Sequence, residues 1–202
     1  MDLLQEPQLL PIPGVKDYQI VMKDVKKIKN EGLSLLKSIE SAMGNVDWDF
    51  FIQLANILPR MQKTFVTGAG RSGLVARSFG MRLMHAGLPA YIPGETITPA
   101  AQKGDILVAL SCTGHTGYTE YIARRAKSLG AMVVIITAEP ESPLTEVADR
   151  TLIIPVSESH IVLKAAVFEH TVSLCLDALF NVLSSKLKLD LDEFRKRHAN
   201  LE

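Results

Sequence analysis

Between residues 17 and 42 apolar side chains recur near helical spacing, at Ile20, Val21, Val25, Ile28, Leu33, Leu35, Leu36 and Ile39. That spacing gathers them into one stripe, so it predicts a helix, with Gly32 as its weak point. Gly44-Asn45 makes a turn, and Asp47 can cap a second helix running to about Leu58, where Pro59 stops it. The pattern then changes to short β-type runs at 64–67, 88–92, 105–110, 131–137 and 151–154. The unbroken apolar run at 131–137 predicts a strand buried on both faces. Between these runs lie helical stretches at 72–85, 116–129 and 143–147. A long helix at 162–187 and a short one at 190–198 follow.

Strands alternating with helices imply βαβ units, a parallel sheet and right-handed crossovers. The prediction is one α/β domain. Its expected parts are an extended arm at 1–16, marked by Pro7, Pro11, Pro13 and Gly14, and a single domain at 17–202. Within that domain, N-terminal helices occupy 17–60, the sheet core 61–156 and C-terminal helices 157–202.

Composition narrows the partners. With 22 Lys plus Arg against 22 Asp plus Glu, the 202-residue chain has no basic footprint, so neither nucleic acid nor a membrane surface is an expected partner. A hydrophobic fraction of 47% is enough for a core that needs no staples. Cys112 and Cys175 match no disulfide or metal framework and read as reduced packing residues. No apolar run approaches the ~20 residues of a bilayer span. The start, Met1-Asp2-Leu3-Leu4-Gln5-Glu6, lacks the basic residues and apolar run of a secretory signal, so a cytoplasmic location is expected.

Ligands of open parallel sheets bind beyond the carboxyl ends of the strands. The first such end, Gly68-Ala69-Gly70-Arg71-Ser72-Gly73, is formally a GxGxxG loop, and Glu95 stands near the end of the next strand, where a ribose-binding acid would belong. A nucleotide-dependent oxidoreductase is therefore one reading. The second end argues against it. In Ser111-Cys112-Thr113-Gly114-His115-Thr116, three hydroxyls surround one glycine at a helix start, which suits a compact phosphate. The alternative is that these hydroxyls only cap the helix.

Gly68-Ala69-Gly70-Arg71-Ser72 and Ser111-x-Thr113-Gly114-x-Thr116 together resemble the sugar isomerase (SIS) domain family, in a branch that isomerises hexulose phosphates. Three more segments carry the resemblance: Met81-Arg82-Leu83-Met84-His85-Ala86-Gly87, Gly94-Glu95-Thr96-Ile97-Thr98-Pro99 and the tail Arg197-His198-Ala199-Asn200-Leu201-Glu202. It covers nearly the whole chain from about Val25. It implies a three-layer αβα sandwich with a five-stranded parallel sheet of flavodoxin-like type, plus the N-terminal helices. It implies a phosphorylated sugar as ligand, with the phosphate held by Ser72, Ser111, Thr113 and Thr116. It also implies a homotetramer whose sites are completed by neighbouring subunits. Two departures stand out. Cys112 and Thr113 replace the glycine and serine of the family's second loop, so a positive φ at 112 would be strained. Val162-Leu163-Lys164-Ala165-Ala166 replaces a Pro-Met-Gly-Ser-like stretch, which puts substrate choice in question.

Moving a carbonyl along a sugar needs a general base and a means of managing charge on oxygen. Helical spacing places residues 162, 165, 169, 172, 176, 179 and 183 on one face, where Glu169 interrupts an apolar stripe. Glu169 is the expected base, a structural ion pair with an arginine being the alternative. On the family-like tail, His198 is the expected second acid/base, acting in a neighbour's site. Gly70 and Gly114 would bring backbone close to the phosphate, Arg71 could balance its charge or pair with another helix, and Glu95 could bond sugar hydroxyls. His115 reads as ligand-adjacent, His85 and His160 as structural. His170 need not share the pocket, because consecutive helix residues point about 100° apart. Arg82 and Met84 are expected to pack, and Trp48 with Phe50 and Phe51 to form a core or interface patch. No residue spacing suits a metal, and no cofactor is expected.

The resemblance thus implies an intramolecular oxidoreductase interconverting D-arabino-hex-3-ulose 6-phosphate and D-fructose 6-phosphate through a 2,3-enediol. A non-catalytic sugar-phosphate-binding module, or an isomerase for another aldose or ketose phosphate, are the rival readings.

Overall fold

The computed structural model describes residues 18–157 and 161–201. The expected arm at 1–16 and His160 lie outside them. By their contacts the residues fall into two units, one ending at Leu36 and one beginning at Lys37. The helix α1 (Tyr18–Gly44) runs through Gly32 without a break. In the first unit it carries Val25, Ile28, Leu33 and Leu36 as exposed apolar residues.

In the second unit Asp47 caps α2 (Trp48–Ile57), its carboxylate accepting the Asp49 and Phe50 N–H groups. Pro59 does not end the chain's winding at once; a 3₁₀ turn follows at Leu58–Arg60. Then β1 (Thr64–Gly68), α3 (Gly70–His85), β2 (Ala90–Tyr91), β3 (Ile106–Ser111), α4 (Gly117–Ser128), β4 (Met132–Thr137), α5 (Pro143–Val147) and β5 (Arg150–Ile153) alternate, and α6 (Ile161–Leu187) and α7 (Leu191–Arg197) follow.

All five strands are parallel, in the order β2-β1-β3-β4-β5. Side chains of β3 alternate between two cores. Ile106, Val108 and Leu110 meet Phe79, Leu83, Phe168 and Val172 from α3 and α6, while Leu107 and Ala109 meet Ala123, Ala126 and Leu144 from α4 and α5. Helices therefore cover both faces, which gives the three layers that the alternation of strands and helices requires. By length and composition α6 could cross a bilayer, but its Phe168, Val172, Cys175, Leu176, Leu179 and Leu183 belong to the core.

Several boundaries differ from the sequence pattern. The second strand shrinks to two residues because the Leu88 N–H turns back to the Leu83 carbonyl at 3.0 Å, closing the end of α3. Asp105 lies just outside β3, where its buried carboxylate accepts the Gln102 N–H at 2.8 Å and pairs with Lys63 at 3.3 Å. On α6 the apolar face begins later than its spacing suggests, since Val162 is exposed. Cys112 is not among the positive-φ residues, so cysteine fits the second loop without the strain its replacement of glycine raised.

Candidate active site

The strand order reverses between β1 and β3, the switch point where open α/β sheets bind ligands. Gly68 pairs in register with Leu110, so the loops after β1 and β3 leave the sheet side by side. Close packing holds them there. A Cβ on Gly68 would lie 2.9 Å from the Ser72 carbonyl carbon and 3.0 Å from the Leu110 oxygen, and one on Gly73 would lie 2.6 Å from the Gly68 oxygen.

Two helix N-termini open onto this point, and neither is capped by a side chain. Ala69 precedes α3, and Thr116 precedes α4 without making a side-chain cap bond. Capping therefore does not account for the hydroxyls. Instead Thr116 Oγ1 lies 3.2 Å from Ser111 Oγ, which accepts the Gly114 N–H at 3.1 Å. Thr113 Oγ1 accepts the His115 N–H at 3.4 Å, and His115 Nδ1 lies 2.6 Å from the Thr113 carbonyl oxygen, turning its ring along the loop. Ser72 is buried in the first turn of α3. Free helix amides, aligned peptide dipoles and small hydroxyls make a cradle for an anion. Gly114 has φ +67°, and a Cβ there would fall 2.2 Å from Ser142 Oγ, so only glycine lets this loop close on the turn after β4.

Glu169 is 6% exposed on α6, and its carboxylate accepts from Arg71 Nε in the first turn of α3. A buried carboxylate needs such a counter-charge. Both line a cleft between α3 and α6 with Leu74, Val75, Ser78, His170 and Ser173. His170 does share this cleft, because it is broad enough to take in two adjacent positions of the helix. Cys112 is buried, and burial pushes its thiol up to about 11, partly opposed by Lys164.

Of the other expected site residues, Glu95 does not line this cleft. It pairs with Arg77 at 3.6 Å and borders a pocket on the α4 side of the sheet. His198 does not line it either. Its ring stacks on His85 at 5.1 Å, at the C-terminal end of α3. Sixteen residues at ~1.5 Å each put that end about 24 Å from the cradle. Within one chain, then, Gly70, Arg71, Ser72, Ser111, Thr113, Gly114, Thr116 and Glu169 gather at the switch point, and His198 does not. His85 is buried as a structural residue, Arg82 pairs with Asp177 and lies over Phe180, and Phe50 and Phe51 enter the core while Trp48 stays partly exposed. Among the described residues no group of three His, Cys, Asp or Glu side chains is arranged to hold a metal.

Two further charged side chains lie near the second loop and were not among the expected site residues. Glu139, two residues past β4, pairs with Lys164 in the first turn of α6. The strand-end rule applied to β4 would have found Glu139, whereas Lys164 gave no spacing signal.

Comparison with known proteins gives the family. The SIS domain family matches over residues 57–181. The 3-hexulose-6-phosphate isomerase of Mycobacterium gastri is 38% identical over 178 residues, 84% of this chain and 89% of its own. That of Bacillus subtilis is 39% identical over 158 residues, 74% of this chain and 85% of its own. A solved structure from Methanococcus jannaschii, from which a molecular function of 3-hexulose-6-phosphate isomerase was inferred, superposes with a TM-score of 0.78. It is 32% identical and covers 85% of this chain and 99% of its own. With a matching family over most of its length and the phosphate-type loops in place at the switch point, the chain belongs to the SIS domain family.

Proposed function

We propose that the protein is a sugar-phosphate isomerase that interconverts D-arabino-hex-3-ulose 6-phosphate and D-fructose 6-phosphate, in the cytoplasm and as a homotetramer. The observation that carries this reading is the buried Glu169, set beside two uncapped helix N-termini bearing Ser72, Ser111, Thr113 and Thr116. The cradle binds the phosphate on C6 and fixes the sugar. Glu169 removes the proton from C2 of the hex-3-ulose, giving a 2,3-enediol, and returns it to C3 as the carbonyl forms at C2. The proton on O2 passes to O3 through a second acid/base, for which His198 of a neighbouring subunit is the candidate. Arg71 holds the Glu169 carboxylate toward the cleft, and Gly70, at φ +56°, makes the left-handed turn that starts α3. Glu95, in the turn after β2, is kept as a candidate for sugar hydroxyls of the same substrate class.

The test is a coupled assay that generates hex-3-ulose 6-phosphate in situ and follows fructose 6-phosphate. The wild type turns over, and Glu169→Gln loses at least about 10²-fold in kcat while its Kd for fructose 6-phosphate changes little. Equal loss of binding and turnover would make Glu169 the structural half of an ion pair.

A further inference from the structure

Two ion pairs border the cradle. One is Arg71–Glu169, and the other joins Lys164 to Glu139. The backbone places the second pair beside the phosphate-type loop. The Cys112 carbonyl accepts the Ala138 N–H at 3.1 Å and the Thr137 hydroxyl at 3.4 Å, and Thr137 Oγ1 accepts the Glu139 N–H at 3.2 Å. Glu139 is thereby locked one residue beyond a strand of bonds to the loop itself. Its partner Lys164 reaches the same place from α6, and both charges, with that of Glu169, act on the Cys112 thiol.

The pair ties the first turn of α6 to the segment after β4, and with side chains 20% and 35% exposed it stays open to solvent and to competing ions. A sugar phosphate brings nearly two negative charges, which an ammonium prefers to one carboxylate. Arg71 is occupied with the buried Glu169, whereas Lys164 is held by the more exposed Glu139.

Resting on the phosphosugar reading above, we propose that Lys164 is a substrate-binding residue that leaves Glu139 for the phosphate of the bound sugar, with Glu139 acting as its competitor. Lys164 then contributes to the selection of phosphorylated over free sugars, and Glu139 keeps the empty site neutral.

The two members of the pair consequently act in opposite directions on phosphate affinity, whereas an ion pair that only ties α6 to the segment after β4 loses the same stability whichever member is removed. Kd values for fructose 6-phosphate and for inorganic phosphate are measured by calorimetry on the full chain carrying Lys164→Met, Lys164→Arg, Glu139→Gln or Lys164→Met with Glu139→Gln. Lys164→Met raises both constants about tenfold. Lys164→Arg stays within about threefold of wild type because the charge remains. Glu139→Gln lowers both constants by a factor of about three, and the double variant matches Lys164→Met. Unchanged affinity in Lys164→Met, or a weakening in Glu139→Gln, overturns the proposal. Wild-type protein that binds phosphate through Lys164 yet does not isomerise hexulose phosphate would sink the proposed reaction and keep this inference.

Discussion

Gly70 and Gly114 show how differently two residues of one type can matter. Both have positive φ, +56° and +67°. A side chain at Gly70 would meet open space, so Gly70→Ala pays only the left-handed backbone penalty of about 1–2 kcal/mol. Gly114→Ala adds a Cβ 2.2 Å from Ser142 Oγ and 2.4 Å from Ser142 Cβ, contacts no rotamer of a fixed neighbour can absorb. The second loop must then move off the turn after β4. We expect Gly114→Ala to weaken fructose 6-phosphate binding by at least about tenfold, and Gly70→Ala by less than about threefold, with melting curves separating the backbone cost from the lost site. A similar loss in both variants would show that the clash at Ser142 is relieved without moving the loop.

At the scale of elements, α7 is held to α3 by a small set of rings. His85 is 2% exposed, packs on Phe194 at 4.9 Å and under His198 at 5.1 Å, and its Nδ1 has no hydrogen-bond partner among the described residues. The charged groups facing it are Arg82 on its own helix and, from α7 and beyond, His198 and Arg197, the latter donating to the His85 carbonyl and to Glu193. Burial, then His198, then Arg82 hold the His85 imidazole below its ordinary 6.5. A depressed histidine is neutral in the folded state, while the unfolded chain takes up a proton near 6.5. The contribution of His85 is therefore intact above that pH and is lost as pH falls through the lowered value. We expect urea midpoints to fall between pH 7.5 and 5.5, with the α7 amides losing protection against hydrogen exchange first once the intrinsic rate is corrected for pH, and His85→Gln to flatten that dependence. An equal slope in His85→Gln would place the pH sensitivity elsewhere.

Much of this element order was readable because strands alternating with helices leave a strong local imprint, and the apolar run at 131–137 predicts the strand buried on both faces that forms at Met132–Thr137. The cradle was legible too, since glycine and hydroxyl spacing is a local property. What stayed hidden depended on distant partners. Nothing near Arg71 announces Glu169, 98 residues on, and nothing near Lys164 announces Glu139. His198 on its own reads as part of a basic tail, and its stacking on His85 arises only when α7 folds back across α3.

At the scale of the whole molecule, Glu169 and His198 can serve one substrate only if subunits exchange ends. Exposed apolar residues on α1 (Val25, Ile28, Leu36) and around the groove of Trp48, Ile52 and Val182 give such an assembly apolar area to bury. Mixing two inactive variants tests the arrangement directly. Glu169→Gln and His198→Ala, unfolded together and refolded, should recover measurable activity, because some sites draw an intact Glu169 from one chain and an intact His198 from another. Sedimentation should report about four times 22.2 kDa. Activity in His198→Ala alone at the wild-type level would remove the shared site.

The length of α3 then has a consequence for how such an enzyme behaves in a cell. If Glu169 and His198 are the two proton-handling groups proposed above, a chain in which they stand a full helix apart is, on its own, half of a catalyst pointing in two directions. Specific activity would then be a function of concentration, steep near the assembly constant and flat above it. The amount of protein made would set a threshold as well as a rate.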